Sequence, residues 1–320
     1  MTAQLFQTSG NPIPANAFAG YIVTRDGKRL RYARFAAEGR PLQGTVVIIP
    51  GRNECIEKYF ETITNLSQRG FGCAILDLRG QGGSDRLVRD PMKGFVSDFM
   101  DYASDIEPFF RQVVLPDCRG PYYVLGHSTG SLIALLAAPN LANRVERMVL
   151  LSPLLGFSGT SLSLRSVQRL SSTLHAIGLG GYILSGRGQK GPDQFAGNVL
   201  TSDAARHSRN LAIYREHPEL SLGGATATWV RAATAAIDKV HDPEFLYRLK
   251  VPFVMIAAGM DRVVDSRAAE AYARQARTGS LITIDGAQHE LLQERDIFRE
   301  QVFAAFDAFV PGNVRALVSG

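Results

Sequence analysis

Five consecutive residues, Gly126-His127-Ser128-Thr129-Gly130, constrain this chain more than any other stretch. Tyr122–Leu125 before them is aromatic and β-branched, as a strand would be. Ser131–Ala138 after them is rich in Leu and Ala, as a buried helix would be. A strand that passes into a helix within so few residues must turn sharply. In the G-x-S-x-G pattern that turn strains the serine backbone and lifts its hydroxyl above the sheet. A side chain at Gly126 or Gly130 would collide across so tight a turn. The helix that starts there aims its positive end at the place where a negatively charged oxygen could form.

The remaining chain repeats this alternation. Gly20–Arg25 and Leu30–Ala36 alternate in polarity around Asp26-Gly27, a hairpin signal. Thr45–Pro50 and Cys73–Leu78 read as buried strands. Ile56–Arg69 has helical spacing, as does Phe99–Val114, which is expected to stop before Pro116. Arg147–Leu151, Pro252–Ala258 and Leu281–Ile284 are further apolar runs. Arg267–Arg277 and Asp296–Phe309 are helical. Strands alternating with helices predict an α/β fold, a mostly parallel central sheet with helices on both faces. The opening hairpin supplies an antiparallel edge.

The pattern breaks between Pro153 and Asp242, where no buried-strand run occurs. Residues 153–242 are therefore expected to form a helical cap inserted into a core built from residues 1–152 and 243–320. The cap carries 9 Lys/Arg against 6 Asp/Glu, net +3, which a solvated outer face explains as well as a ligand does. Leu154, Leu155 and Phe157, with Leu162, Leu170, Leu174, Ile177, Leu179 and Ile183, are candidates for an apolar pocket. Most of them are expected simply to pack the cap onto the core.

Composition narrows the partners. With 45% hydrophobic and 20% charged residues among 320, the chain has the material for a large core. No apolar run approaches a membrane span. The N-terminal segment lacks the basic start and apolar run of a secretory signal. Cys55, Cys73 and Cys118 are odd in number and scattered, which suits a reducing cytoplasm. The net charge of +5 is not gathered into a basic block. No zinc-ligand spacing and no aromatic-basic stripe is present, so nucleic-acid binding is not expected. Transient contact with an anionic membrane surface is compatible with the charge.

A serine hydroxyl needs a base within reach, and the base needs an orienting carboxylate. Of six histidines, His175, His207, His217 and His241 fall in the expected cap, and the His127 side chain should point away from Ser128. His289 remains, just past the last expected strand, at the end of a parallel sheet where sites form. Asp261 directly follows the strand Pro252–Ala258. Asp265, a turn later, is better placed as a helix N-cap. Ser128, Asp261 and His289 are thus expected to be catalytic. An oxyanion would be held by the N–H of Thr129 and by one from the loop after Thr45–Pro50, with Arg52 preferred and Asn53 behind it. Arg52 and Glu54 could contact substrate, but a local ion pair between them is the expected role. Asp77-Leu78-Arg79-Gly80-Gln81-Gly82-Gly83-Ser84 lacks the Lys-Ser/Thr of a phosphate loop. It reads as a turn that buttresses the active-site loops.

These motifs resemble the α/β-hydrolase superfamily over nearly the whole chain, and within it the monoglyceride lipase and bacterial lysophospholipase group. Asp77–Ser84 is similar to the group's D-x-R-G-x-G-x-S segment. Gly126–Gly130 is similar to its elbow, with Thr129 in place of methionine. Gly259–Asp265 resembles its acid segment, in which the first aspartate is catalytic, and Gly286–Leu291 resembles its histidine loop. Pro50–Tyr59 departs from the His-Gly start of the lipases and looks like the G-R-x-E-x-x-x-K-Y form of bacterial lysophospholipases. Asn198–Asp203 and Gly223–Trp229 resemble the same branch. The resemblance implies a serine esterase of monoacyl lipids, working without metal or organic cofactor; the cysteine usage and mild positive charge place it in the cytoplasm, compatible with contact at the inner face of the membrane. The alternatives are a monoacylglycerol lipase, a serine aminopeptidase, an acyltransferase, or a ligand-binding protein with an idle triad.

Overall fold

The structure is a computed structural model that describes residues 2–159, 162–185 and 195–310. Residues 311–320 of the expected core, and 160–161 and 186–194 of the expected cap, lie outside the described residues. The strands in chain order are β1 (Ala17–Val23), β2 (Arg29–Phe35), β3 (Gly44–Ile49), β4 (Phe71–Leu76), β5 (Tyr122–His127), β6 (Val145–Leu151), β7 (Ile183–Ser185), β8 (Ala225–Thr226), β9 (Phe253–Ala258) and β10 (Gly279–Ile284). Eight of them form one sheet in the order β1-β2-β4-β3-β5-β6-β9-β10. β1 and β2 form the antiparallel hairpin, and β2 pairs antiparallel with β4. From β4 to β10 every pairing is parallel.

The strand period of two decides which core each side chain enters. On β3, Val47 and Ile49 join the layer under the helices Phe99–Phe109 and Thr129–Leu141. Val46 and Ile48 join the opposite layer with Ile63, Phe303 and Phe306. β3 is buried along its full length because helices cover both faces. Its apolar side chains each contribute about 1.5–3 kcal/mol of burial. The helix Thr129–Leu141 is buried on nearly every side, which explains its lack of a polar stripe.

Two local expectations differ from the structure. The helix from Phe99 does not stop before Pro116. It passes through a π-turn at Phe110–Val114 into a last turn, Leu115–Asp117, and Pro116 sits near the start of that turn. The π-turn just before it already interrupts the regular i→i−4 ladder, so the missing N–H of Pro116 is accommodated there. The stretch between β6 and β9 is not without strands: β7 and β8 pair there as a small antiparallel ribbon. At three and two residues they are too short to leave an apolar run in the sequence. The longer elements described in that stretch are the helices Leu164–Ala176, Ala204–Glu216 and Ala227–Val240.

Candidate active site

Parallel strands end at the same edge, so the loops after β3, β5, β9 and β10 share one rim. They carry, in turn, Gly51–Glu54, Ser128, Asp261 and His289. Ser128 has φ 52° and ψ −113°, a conformation rare for a residue with a side chain. It is held there by its own hydrogen bonds: Ser128 N–H donates to Leu151 O at 2.9 Å, and Ser128 O accepts from Leu154 N–H at 3.1 Å. The flanking glycines are sterically required. A Cβ on Gly130 would lie 2.0 Å from Ile49 O, and one on Gly126 would lie 2.8 Å from the Ser131 Cα.

His289 Nδ1 lies 2.8 Å from Asp261 Oδ2. The Asp261 Oδ1 accepts from the N–H groups of Val263 at 2.8 Å and Val264 at 3.0 Å. Burial would raise the Asp261 pKa, but the hydrogen bond and charge of His289 and these two amides outweigh it and hold it below 3.8. An ionised Asp261 fixes the proton of His289 on Nδ1 and leaves Nε2 as a base. Asp265 instead caps the helix Ser266–Gln275, accepting from Arg267 N–H.

In the loop after β3, Gly51 N–H donates to Glu54 Oε2 and Asn53 N–H to Gln81 Oε1. Arg52 N–H donates to no described group, and neither does Thr129 N–H. Both residues line the cavity that contains Ser128 and His289. The Asn53 backbone adopts φ 60°, and its side-chain and main-chain oxygens accept from Leu222 N–H and the Tyr214 hydroxyl. The loop is thereby tied to the segment above it. From below, Gln81 Nε2 donates to Gly51 O and Glu54 O. Gln81 is placed by the Asp77–Ser84 turn, in which Asp77 accepts from Arg31, Ile56 N–H and Gly83 N–H. A Cβ on Gly82 would strike the Asp77 carboxylate at 2.3 Å. The segment buttresses the Gly51–Glu54 loop.

The expected ion pair between Arg52 and Glu54 does not form. Glu54 turns inward, where its Oε1 meets Lys58 Nζ at 2.8 Å and His127 Nδ1 at 3.0 Å, and its Oε2 accepts from the Tyr59 hydroxyl. Lys58 Nζ also meets Glu290 Oε1 at 2.6 Å. His127 Nε2 lies 3.2 Å from His289 O, which accepts from Ser152 Oγ as well. Both ring nitrogens of His127 therefore face acceptors, a demand met only by an imidazolium. Burial pulls the His127 pKa down, but the charge and hydrogen bond of Glu54 outweigh it and keep it above 6.5. This buried cluster links the residue before Ser128 to the residue after His289. Sequence reasoning missed it. The available signal was Glu54 and Lys58 four residues apart, with opposite charges at helical spacing.

The cavity above these residues has a volume of about 680 Å³. Leu154, Phe157, Leu162, Val167, Leu170 and Leu184 are among its apolar walls. Leu155 shares the main core with Leu154 but is not on the cavity wall. Ile177, Leu179 and Ile183 face solvent, and Leu174 is not on the wall. Trp229 and Val230 are cavity residues that the sequence reading had not proposed. The small residues around them, Gly223 to Ala227, carry no apolar pattern that would mark a wall.

Comparison with known proteins agrees with this architecture. The profile of a hydrolase family described as "Serine aminopeptidase, S33" matches residues 40–296. Lysophospholipase L2 of Escherichia coli strain K12 is 33% identical over 293 residues, covering 88% of this chain and 83% of that protein. Monoglyceride lipase of Rattus norvegicus is 25% identical over 283 residues, covering 86% and 84%. Among solved structures, a soluble variant of monoglyceride lipase from Saccharomyces cerevisiae superposes with TM-score 0.71 at 19% identity, covering 91% of this chain and 93% of that one.

Proposed function

The chain belongs to the hydrolase family described as serine aminopeptidase S33 and has the α/β-hydrolase fold; from that premise we propose that it cleaves monoacyl lipids, lysophospholipids first, through Ser128, His289 and Asp261. That it is an ester-hydrolysing enzyme follows from its relatives. The observation that carries the finer reading is the 2.8 Å contact of His289 Nδ1 with Asp261, on the same cavity as a backbone-strained Ser128.

In this reading, His289 Nε2 takes the Ser128 proton as the hydroxyl oxygen attacks the acyl carbonyl. Asp261 stabilises the imidazolium. The N–H groups of Thr129 and Arg52 receive the oxyanion. His289 then protonates the leaving glycerophospho alcohol, and water attacks the acyl-enzyme by the same route to release the fatty acid. Residues 153–242 act as a cap whose leucines take the acyl chain, at about 0.8 kcal/mol per buried methylene. No helix among the described residues is long and apolar enough to cross a membrane. Ile177 and Tyr182, 63% and 65% exposed on the cap, are suited to meeting a lipid aggregate from the cytoplasmic side.

The experiment is a substrate panel: lysophosphatidylcholine, monoacylglycerol and an aminoacyl amide, each with wild type and Ser128→Ala. The reading expects fatty-acid release from the lipids and a loss of at least about 10⁴-fold in kcat/KM in the variant. Equal rates in the two proteins would remove it. Release only from the amide would favour an aminopeptidase.

A further inference from the structure

Arg52 has a side chain that the oxyanion loop does not need. Only its main-chain N–H belongs to the proposed chemistry. The side chain is nonetheless half-buried on the wall of the cavity that holds Ser128 and His289. Of the five N–H donors on a guanidinium, one is used in a fixed contact: Nη1 donates to Gly223 O at 2.7 Å. The guanidinium carbon lies 5.8 Å from the Trp229 ring centre, which steadies it without neutralising it. Among the described residues no carboxylate pairs with it, since Glu54 is committed to Lys58 and His127. Its spare donors are not sealed inside the protein.

A half-buried cation without a counter-ion is unfavourable on its own, and burial weakens its hold on its proton. Such an arrangement is relieved when an anion arrives, and a planar guanidinium fork matches the paired oxygens of phosphate or carboxylate. The cavity has another arginine, Arg262, but that side chain is exposed at the rim and its charge is screened by water. We propose that the Arg52 side chain recognises an anionic oxygen pair of the lipid, namely the phosphodiester of a lysophospholipid head group. The inference rests on the ester-hydrolase reading of the same site and adds to it the feature that separates phosphate-bearing monoacyl lipids from neutral ones. The carboxylate of the released fatty acid has the same chemistry, and the experiment must separate the two.

The test compares kcat/KM for lysophosphatidylcholine with kcat/KM for the monoacylglycerol of equal chain length. It uses wild type, Arg52→Gln, Arg52→Lys and Arg262→Gln, with laurate inhibition measured in parallel. The expected result is that Arg52→Gln lowers the phospholipid-to-glyceride ratio at least tenfold, chiefly through KM. Arg52→Lys should keep most of the ratio, and Arg262→Gln should leave it within twofold. An unchanged ratio in Arg52→Gln overturns the inference, as does a tenfold fall in Arg262→Gln instead. Weaker laurate inhibition with an unchanged ratio assigns the anion to the product and overturns the head-group role. Because the readout is a ratio, a general loss of activity does not imitate it. In Ser128→Ala, binding of lysophosphatidylcholine by calorimetry supplies a second readout, which Arg52→Gln should weaken at least tenfold. Wild type inactive on both lipids, yet binding phospholipid through Arg52, would fail the hydrolase reading while leaving the recognition standing.

Discussion

His127 shows how one residue at the elbow does work that its motif does not announce. Its Nδ1 faces the Glu54 carboxylate and its Nε2 faces the His289 carbonyl, so it holds the His289 loop against the Ser128 turn. The linkage has a definite sign. A histidine whose folded pKa lies above 6.5 contributes stability that is complete below 6.5 and fades as pH rises through the raised value. The melting temperature of wild type should therefore exceed that of His127→Gln most below pH 6.5, and the gap should narrow in alkaline buffer. A thermal-shift series against pH checks this. A gap that widens with alkalinity would mean that His127 is buried neutral. At Arg52 the position was legible from its place after an apolar strand, whereas the fate of its side chain was not. Whether an arginine pairs with a neighbouring glutamate depends on which of them turns inward, and Glu54 is drawn inward by Lys58 and His127.

At the scale of elements, the helix Ala204–Glu216 is docked on the core through ions as well as through Ile213 and Tyr214, which pack with Cys55 and Leu220. Arg206 and Arg209 converge on Glu61, at the first turn of the helix Phe60–Gln68, and Arg206 also reaches Asp296. Burial would raise the Glu61 pKa, but its arginine partners outweigh this and hold it at about 2. A carboxylate depressed in this way stabilises fully above its unfolded value of about 4.5 and loses that contribution as pH falls toward 2. Glu61→Gln should leave two arginines without their shared acceptor. We expect faster amide hydrogen exchange in 204–216 near neutral pH, with little change in β3 or β5. The difference from wild type should vanish in acid. Equal exchange at neutral pH would show that apolar packing alone seats this helix. The elements themselves were legible where periodicity was strong: the strands of the sheet and the helix Asp296–Phe309 follow the apolar pattern closely. Pro116 misled because a π-turn lets the helix accommodate it, and no local composition encodes that.

Across the whole molecule, what could be read in advance was what lies close in sequence or follows chain order. The elbow is five residues long, and Asp261 and His289 each follow a strand end. What could not be read is long-range polar contact. Lys58 and Glu290 are 232 residues apart in sequence, and nothing in either neighbourhood names the other. The cavity walls depend likewise on how the segment between β6 and β9 folds back, which leaves both Leu154 and Leu155 in the core and only Leu154 on the cavity wall. The fold thus brings four loop ends to one rim, and the proposed chemistry is a property of that rim. Its most direct test is to quench wild type during turnover of a p-nitrophenyl ester and locate the acyl group by peptide mass spectrometry. The expected result is an acyl adduct on Ser128 that accumulates far more slowly in His289→Ala. An adduct on another side chain, or one that forms on Ser128 at the same rate without His289, would contradict it.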